Sequence, residues 1–252
     1  MKTKKHGAIV LSSGMEKDLF AELLKRLKCS PVPGEETLDN LGLFLTSKTL
    51  SRIFFFYEIY KRIVNTHGVI MEFGVRWGQT LALFAGMRSI FEPFNRHRKI
   101  IGFDTFSGFR GVSSRDGKKS SCGNGAFSVG TGYREYLDGL LSVHEGINPM
   151  SHIKRFELVK GDAAKTVPAY FKKHPETIIS LAFFDFDIYK PTKAALKAVK
   201  GRLAKGSILV FDELNDEYFP GETAALDDVF GLNKVKIERF PMTSRLSYIE
   251  FK

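Results

Sequence analysis

The stretch Val69-Ile70-Met71-Glu72-Phe73-Gly74-Val75-Arg76-Trp77-Gly78-Gln79-Thr80 joins an apolar run, a lone carboxylate and two glycines. Its first five residues predict a strand covered on both faces. Gly74 and Gly78 lack Cβ atoms, so the chain can turn sharply there and a ligand can lie against it. A helix predicted from about Gln79 points its free N–H groups at that ligand. A second apolar run, Lys99-Ile100-Ile101-Gly102-Phe103, ends on Asp104, whose carboxylate can accept hydrogen bonds from a ribose diol. This is the logic of a nucleotide-type pocket at the carboxyl edge of a parallel sheet. The Gly74-x-x-x-Gly78 spacing is not the G-x-G-x-x-G of dinucleotide sites, which disfavours a nicotinamide dehydrogenase. Glu72, an unusual charge at the end of a buried strand, and Asp104 carry the cofactor reading further than the glycines alone.

Three more apolar runs end on polar groups. Phe156–Lys160 leads to Gly161-Asp162, Ile178–Phe184 to Asp185-Phe186-Asp187, and Ser207–Phe211 to Asp212-Glu213. One strand-end Asp is explained by helix capping or a turn. Pairs of them on one edge are not, because a cap needs one carboxylate. Asp185, Asp212 and Glu213 would repel unless one took up a proton. A hard divalent cation such as Mg²⁺, held by carboxylates and other oxygens, removes the conflict.

These tips need a scaffold. Strands alternate with helical patterns, including Pro191–Leu203 with Ala195, Leu196, Val199 and Leu203 in register, which predicts a parallel α/β sheet. Met15–Cys29 reads as an amphipathic helix with Leu19, Phe20, Leu23, Leu24 and Leu27 in one stripe. Leu50–Val64 repeats the pattern with Phe54, Phe55, Ile59 and Ile63. These two helices are read as cover for the sheet or as a surface between copies in a homo-oligomer. The run Phe54-Phe55-Phe56-Tyr57 is read as core. Residues 107–132, rich in Gly and Ser with interspersed Arg and Lys, follow Asp104 directly and are expected to act as a lid. Tyr133–His144 reads as a helix with Tyr136, Leu137, Leu140 and Leu141 inward. Residues 1–66 are taken as an N-terminal helical extension and 67–252 as the catalytic domain.

The motifs together resemble those of class I S-adenosylmethionine-dependent methyltransferases, and more narrowly the macrocin O-methyltransferase (TylF/MycF) family. They are Glu72-Phe73-Gly74-Val75-Arg76-Trp77-Gly78, Gly102-Phe103-Asp104-Thr105-Phe106-Ser107-Gly108-Phe109, Gly161-Asp162, Phe184-Asp185-Phe186-Asp187-Ile188-Tyr189-Lys190-Pro191-Thr192, Phe211-Asp212-Glu213-Leu214-Asn215, and Phe219-Pro220-Gly221-Glu222-Thr223-Ala224-Ala225-Leu226. The resemblance runs from about Gly68 to the C-terminus. It implies a Rossmann-like, seven-stranded, mostly parallel sheet with helices on both faces and a reversed C-terminal strand. Lys234–Phe240 and Leu246–Phe251 suit the closing antiparallel hairpin. By position, Glu72, Gly74 and Gly78 would frame the methionine and ribose of the cofactor, with Thr105 and Asp185 beside them. Asp104 would hold the ribose hydroxyls and Asp162 the adenine amino group. Asp185 and Asp212, the residues assigned to catalysis, would hold Mg²⁺ together with Glu213. The family usually has Asp where Glu213 stands. Related catechol enzymes carry a Lys base where this chain has Ile188, so the base stays open among Lys190, Asp187 and Glu217.

The reaction implied is methyl transfer to a hydroxyl, in which in-line positioning can supply on the order of 7–11 kcal/mol and a metal lowers the hydroxyl pKa. A vicinal diol chelates a metal, so a sugar is the expected small-molecule acceptor. Catechol-like acceptors, and a nucleotide-binding module without chemistry, are the alternatives. The formal charge of +10 suits either scattered surface Lys and Arg or a phosphate-bearing substrate. Lys4-Lys5, Lys118-Lys119 and Lys172-Lys173 are only pairs, and no nucleic-acid motif is present, which disfavours nucleic acid. No run approaches the ~20 apolar residues of a membrane span, and Ala8–Leu11 is too short for a secretion signal. A cytoplasmic location is expected. Cys29 and Cys122 lack metal-type spacing and read as free thiols.

Overall fold

The computed structural model describes residues 13–117 and 123–252. The basic N-terminus, the run Ala8–Leu11, Lys118-Lys119 and Cys122 lie outside them. Cys29 is a free, exposed thiol, and no described helix is long and apolar enough to cross a membrane.

A seven-stranded sheet has the order β3-β2-β1-β4-β5-β7-β6. The strands are β1 (Val69–Phe73), β2 (Ile100–Asp104), β3 (Phe156–Lys160), β4 (Ile179–Phe184), β5 (Leu203–Phe211), β6 (Glu238–Arg239) and β7 (Ser247–Glu250). β1 to β5 pair in parallel, and β7 runs antiparallel to both β5 and β6. The expected hairpin is present but its first arm is short. Gly231, at φ 78°, starts a 3-10 turn over Leu232–Lys234, so pairing begins only at Glu238. The order reverses between β1 and β4, so the site expected of a doubly wound sheet lies beyond those two strand ends.

Among the described residues the α-helices are α1 (Gly14–Lys28), α2 (Ser47–Ile63), α3 (Gln79–Phe91), α4 (Tyr133–Gly146), α5 (Ala163–Lys173), α6 (Tyr189–Val199) and α7 (Gly221–Phe230), and α2 to α7 flank the sheet. One face buries Phe55, Phe56, Phe84, Leu137 and Leu141 against Ile70, Leu181 and Val210. The other buries Val167, Leu196 and Leu226 against Met71, Ala182 and Leu209. Two stripes differ from expectation. In α2 the inward residues are Phe55, Phe56, Ile59, Tyr60 and Ile63, while Phe54 is exposed; in α4 Leu137 and Leu141 are buried, while Tyr136 and Leu140 face outward. At about 100° per residue the buried arc spans the adjacent pairs Phe55/Phe56 and Ile59/Tyr60, and Phe54 falls outside it, as Tyr136 and Leu140 fall outside the narrower arc of α4. α1 is capped by Ser13 and Glu16 in a reciprocal box, yet buries none of its residues. It does not cover the sheet.

The last row of the sheet matters most for the site. The register aligns Phe103, Phe73, Phe184 and Phe211 across four strands. Their rings stack at 5.3, 4.8 and 5.1 Å with interplanar angles of 15–21°. One residue further on, the same register delivers Asp104, Gly74, Asp185 and Asp212. Backbone bonds continue the ladder there, from Gly74 N to Phe103 O at 2.9 Å, Asp185 N to Phe73 O at 2.8 Å and Asp212 N to Phe184 O at 3.1 Å.

Candidate active site

The groups beyond this row line one cavity of about 940 Å³, at the upper end of the ~300–1,000 Å³ typical of small-molecule sites. Glu72, Gly74, Gly78, Asp104, Thr105, Asp162, Asp185, Asp212 and Glu213 all border it. The sequence-predicted residues are therefore brought together on one sheet edge.

The glycine turn is built by close approach. Gly74 has φ 104°, and a Cβ there would lie 2.0 Å from the Asp185 carbonyl oxygen; Gly78 has φ 74° and faces Leu137. Asp104 braces the turn. Its Oδ2 accepts from the Val75 and Arg76 N–H groups, both at 2.8 Å, and its Oδ1 accepts from Phe106 N at 2.5 Å. Arg76 and Phe106 are held at φ 47° and 52°, conformations that cost about 1–3 kcal/mol each and persist because such bonds lock them. With two lone pairs per oxygen, Asp104 keeps one acceptor position, on Oδ1, for a ligand. Glu72 is buried, and its Oε2 has no partner. Burial, then Asp185, push its carboxyl well above the usual range, against the pull of Arg52. Asp162 caps α5 through Ala164 N at 3.0 Å. Thr105 donates to Gly108 O at 2.8 Å and accepts from Ser107 N, so it shapes the turn that follows β2.

Opposite charge arrives at the acidic turns from two places that sequence reasoning passed over. Arg52 of α2 donates to Asp212 Oδ1 at 2.6 Å and Asp185 Oδ2 at 3.2 Å, with its guanidinium over the Phe56 and Phe183 rings. Arg245, between β6 and β7, pairs with Glu213 and stands 3.9 Å from Asp212. Guanidinium groups thus relieve part of the repulsion. Burial works against the Asp212 charge, but Arg52, a hydrogen bond from Glu213 and Arg245 outweigh it and hold its carboxyl below the usual range.

The relief is incomplete. Burial and Asp212 push the Asp185 carboxyl up despite Arg52. Burial, then Asp187 and Asp212, push Glu213 up, and burial carries Asp187 to about 7. Among the described residues, Asp185, Asp187 and Glu213 form the cluster able to hold a metal, with ligand oxygens within 4.8 Å of one another. Glu213 Oε2 is buried and unpartnered, and Asp187 is held at φ 60°. Surplus carboxylates, an orphan oxygen and converging ligands fit a hard divalent cation. The set differs from the expected one by Asp187 in place of Asp212, whose Oδ1 is engaged by Arg52. Of the three candidate bases, Asp187 lines the cavity, while Lys190 and Glu217 are exposed and do not.

The far wall is aromatic. Phe109 and Phe127 lie 5.1 Å apart and Phe127 and Phe219 6.3 Å apart, with the Arg76 guanidinium 4.7 Å from the Phe127 ring. The described parts of the 107–132 segment are tied down. Phe109 N donates to Ala126 O at 3.0 Å, and Asp116 accepts from Tyr189 N at 2.6 Å. Glu222, fully buried on α7, lies behind the acidic turns. Its Oε1 accepts from Phe186 N at 3.2 Å and Asp187 N at 3.4 Å, and its Oε2 from Glu213 N at 3.2 Å.

Among solved structures, the chain is similar to the calicheamicin methyltransferase CalS11, with 39% identity, 99% of this chain and 98% of that chain covered, and a TM-score of 0.93. The apo structure of CalS11, described as a TDP-rhamnose 3'-O-methyltransferase of calicheamicin biosynthesis, matches at 38% identity, 96% coverage of both chains and a TM-score of 0.85. The O-methyltransferase NovP shares the fold at 15% identity, 80% coverage of each chain and a TM-score of 0.62. No protein-family profile and no curated protein matches the chain.

Proposed function

The chain belongs to the family of S-adenosylmethionine-dependent O-methyltransferases that includes CalS11, and from that premise we propose that it methylates a hydroxyl of a sugar acceptor, with a divalent cation such as Mg²⁺ at its acidic turns. The motifs within this family favour the macrocin O-methyltransferase branch. What carries the reading is the adjacency of the glycine turn and the acidic cluster: Gly74 touches the Asp185 backbone, so donor and acceptor sites share one wall of one cavity. CalS11 acts on TDP-rhamnose, which supports a nucleotide-linked sugar here, and Lys48 and Arg110 at the cavity rim suit its phosphates. The catalytic body is taken as residues 67–252, with 107–132 as a cover that tightens on binding, and residues 1–66 supply Lys48 and Arg52.

When bound, the cofactor supplies a methyl group already activated on a sulfonium, and the cation supplies Lewis acidity that lowers the acceptor hydroxyl's pKa. The residues do the rest by position. The unpartnered Glu72 Oε2 would take the cofactor's ammonium group. The remaining Asp104 lone pair would accept from a ribose hydroxyl, and Asp162 would receive the adenine amino group through the oxygen not used in capping. Gly74 and Gly78 let the turn close against Asp185 and Leu137, which sets the backbone on which the cofactor would rest. Asp185, Asp187 and Glu213 would hold the cation, Asp212 would join them were Arg52 to release its oxygen, and the aromatic wall would exclude water.

Two measurements test this. S-adenosylhomocysteine at about 100-fold its dissociation constant adds roughly 2.7 kcal/mol, an upward shift of about 5–11 °C for a chain of this size. Methyl transfer from labelled S-adenosylmethionine is then compared on a TDP-sugar, a free sugar and a catechol. Transfer to the TDP-sugar that stops on chelation supports the reading. Transfer to the catechol alone overturns the acceptor, and no shift with S-adenosylhomocysteine overturns the whole.

A further inference from the structure

The acidic ligands sit on two separate turns, one after β4 and one after β5, and the strand ladder that joins them ends at the bond from Asp212 N to Phe184 O. Their side chains are held by Arg52 and Arg245. Their backbones are held differently. Glu222 is the one described side chain that accepts backbone N–H groups from both turns, at 3.2 and 3.4 Å on the first and 3.2 Å on the second. It is 0% exposed and does not border the cavity. Its position in the first turn of α7 places a carboxylate where the helix dipole favours one. Gly221 allows the fit. A Cβ there would lie 2.5 Å from Tyr189 N and 2.4 Å from the Asp116 carboxylate, so only glycine lets α7 press its first turn against the acidic turns.

We infer that Glu222 is a positioning residue: one buried carboxylate that clasps the two turns and thereby sets the convergence of Asp185, Asp187 and Glu213 on a divalent cation. The inference rests on the proposed metal site. Residues behind metal ligands typically change metal affinity by about 10–100-fold when replaced. Here the effect has a stated cause. An amide at this position turns an NH₂ group toward one of the N–H donors, and that turn must move.

The test is Mg²⁺ titration by calorimetry on the wild-type chain and on Glu222→Gln, with S-adenosylhomocysteine affinity measured on both. The expected result is a Mg²⁺ dissociation constant about 10–100-fold weaker in Glu222→Gln and S-adenosylhomocysteine affinity within about twofold, because the glycine turn is braced by Asp104. Should Glu222→Gln fail to fold, Glu222→Asp keeps the carboxyl group but is too short to span both turns, and the same split is expected of it. Unchanged Mg²⁺ affinity in the folded variant overturns the inference. Equal weakening of both ligands also overturns it, since a general structural role would do that. A wild-type chain that binds no Mg²⁺ removes the metal reading itself and the inference with it, while the cofactor measurement still reports on the methyltransferase assignment.

Discussion

Replacing Arg52 with Met keeps an apolar stem over Phe56 and Phe183 and removes the charge between Asp185 and Asp212. Two charge-assisted hydrogen bonds are lost, each worth about 1.5–3 kcal/mol when shielded. The side chains are 26%, 27% and 10% exposed for Arg52, Asp185 and Asp212, so solvent screening moves the estimate to the lower part of that range. Two cation–π contacts at 5.2 and 5.4 Å add about 0.5–1 kcal/mol each, partly retained by the Met side chain. The sum is a destabilisation of about 3–5 kcal/mol at pH 8 without metal, a fall in Tm of about 6–20 °C. Thermal denaturation at pH 8, with and without Mg²⁺, reads it. Mg²⁺ should restore more of Tm in Arg52→Met than in the wild-type chain, because the cation no longer competes with a fixed positive charge. Arg52→Lys should fall between, having charge but no fork. A Tm within about 1 °C of wild type in Arg52→Met would refute the view that this guanidinium balances the acidic turns.

Three further outcomes follow from the same geometry. Burial raises Asp187 to about 7, above the ~3.9 of an unfolded Asp. The folded chain then holds this proton more tightly, and stability should decline as pH rises from about 4 through about 7; added Mg²⁺ or Asp187→Asn should flatten the decline, measured as Tm against pH. Gly74→Ala puts a methyl group into the Asp185 carbonyl at φ 104°, which costs at least about 1–3 kcal/mol; the thermal shift with S-adenosylhomocysteine should vanish, and a full shift would count against the close-approach argument. Arg98, buried beside Glu92 at 2.8 Å and donating to Gly68 O, Ser180 Oγ, Ile63 O and Thr66 O, ties the amino ends of β1 and β4 to the end of α2. Arg98→Met should cost about 3–5 kcal/mol in urea unfolding while leaving S-adenosylhomocysteine affinity in the folded chain unchanged.

The strands and the glycine turn were legible because burial on both faces leaves an apolar run of defined length, and because Gly74 and Gly78 fall where the run stops. The acidic tips were legible for the same reason: each is the first polar residue after a buried strand. Other parts were not. Arg52 lies in a helix 133 residues from Asp185 and looks in sequence like one more cation on an amphipathic face, so the arginine solution to the carboxylate repulsion was hidden. Arg245 sits in a turn with no motif. Glu222 was visible only as a member of a matching string, since nothing local tells a buried acceptor of three N–H groups from a helix-start Glu. Asp104 was found in place, but its bracing of Val75, Arg76 and Phe106 depends on a fold of the turn that residue types do not encode. The outward face of α1 followed the expected periodicity, but periodicity says which residues share a side, not whether anything lies opposite.

The abutment of Gly74 on the Asp185 carbonyl gives this scaffold a built-in gauge. The gap from donor pocket to acid cluster is written in main-chain atoms, between two neighbouring strands seated on four stacked rings, and no rotamer can widen it. The opposite rim, formed by Phe109, Phe127 and Phe219, meets the cavity through side chains instead, which are free to change on a backbone that Gly108 and the Phe109–Ala126 bond keep in place. An altered diet of acceptors can therefore be met by recutting that rim, with the span the methyl group must cross inherited unchanged.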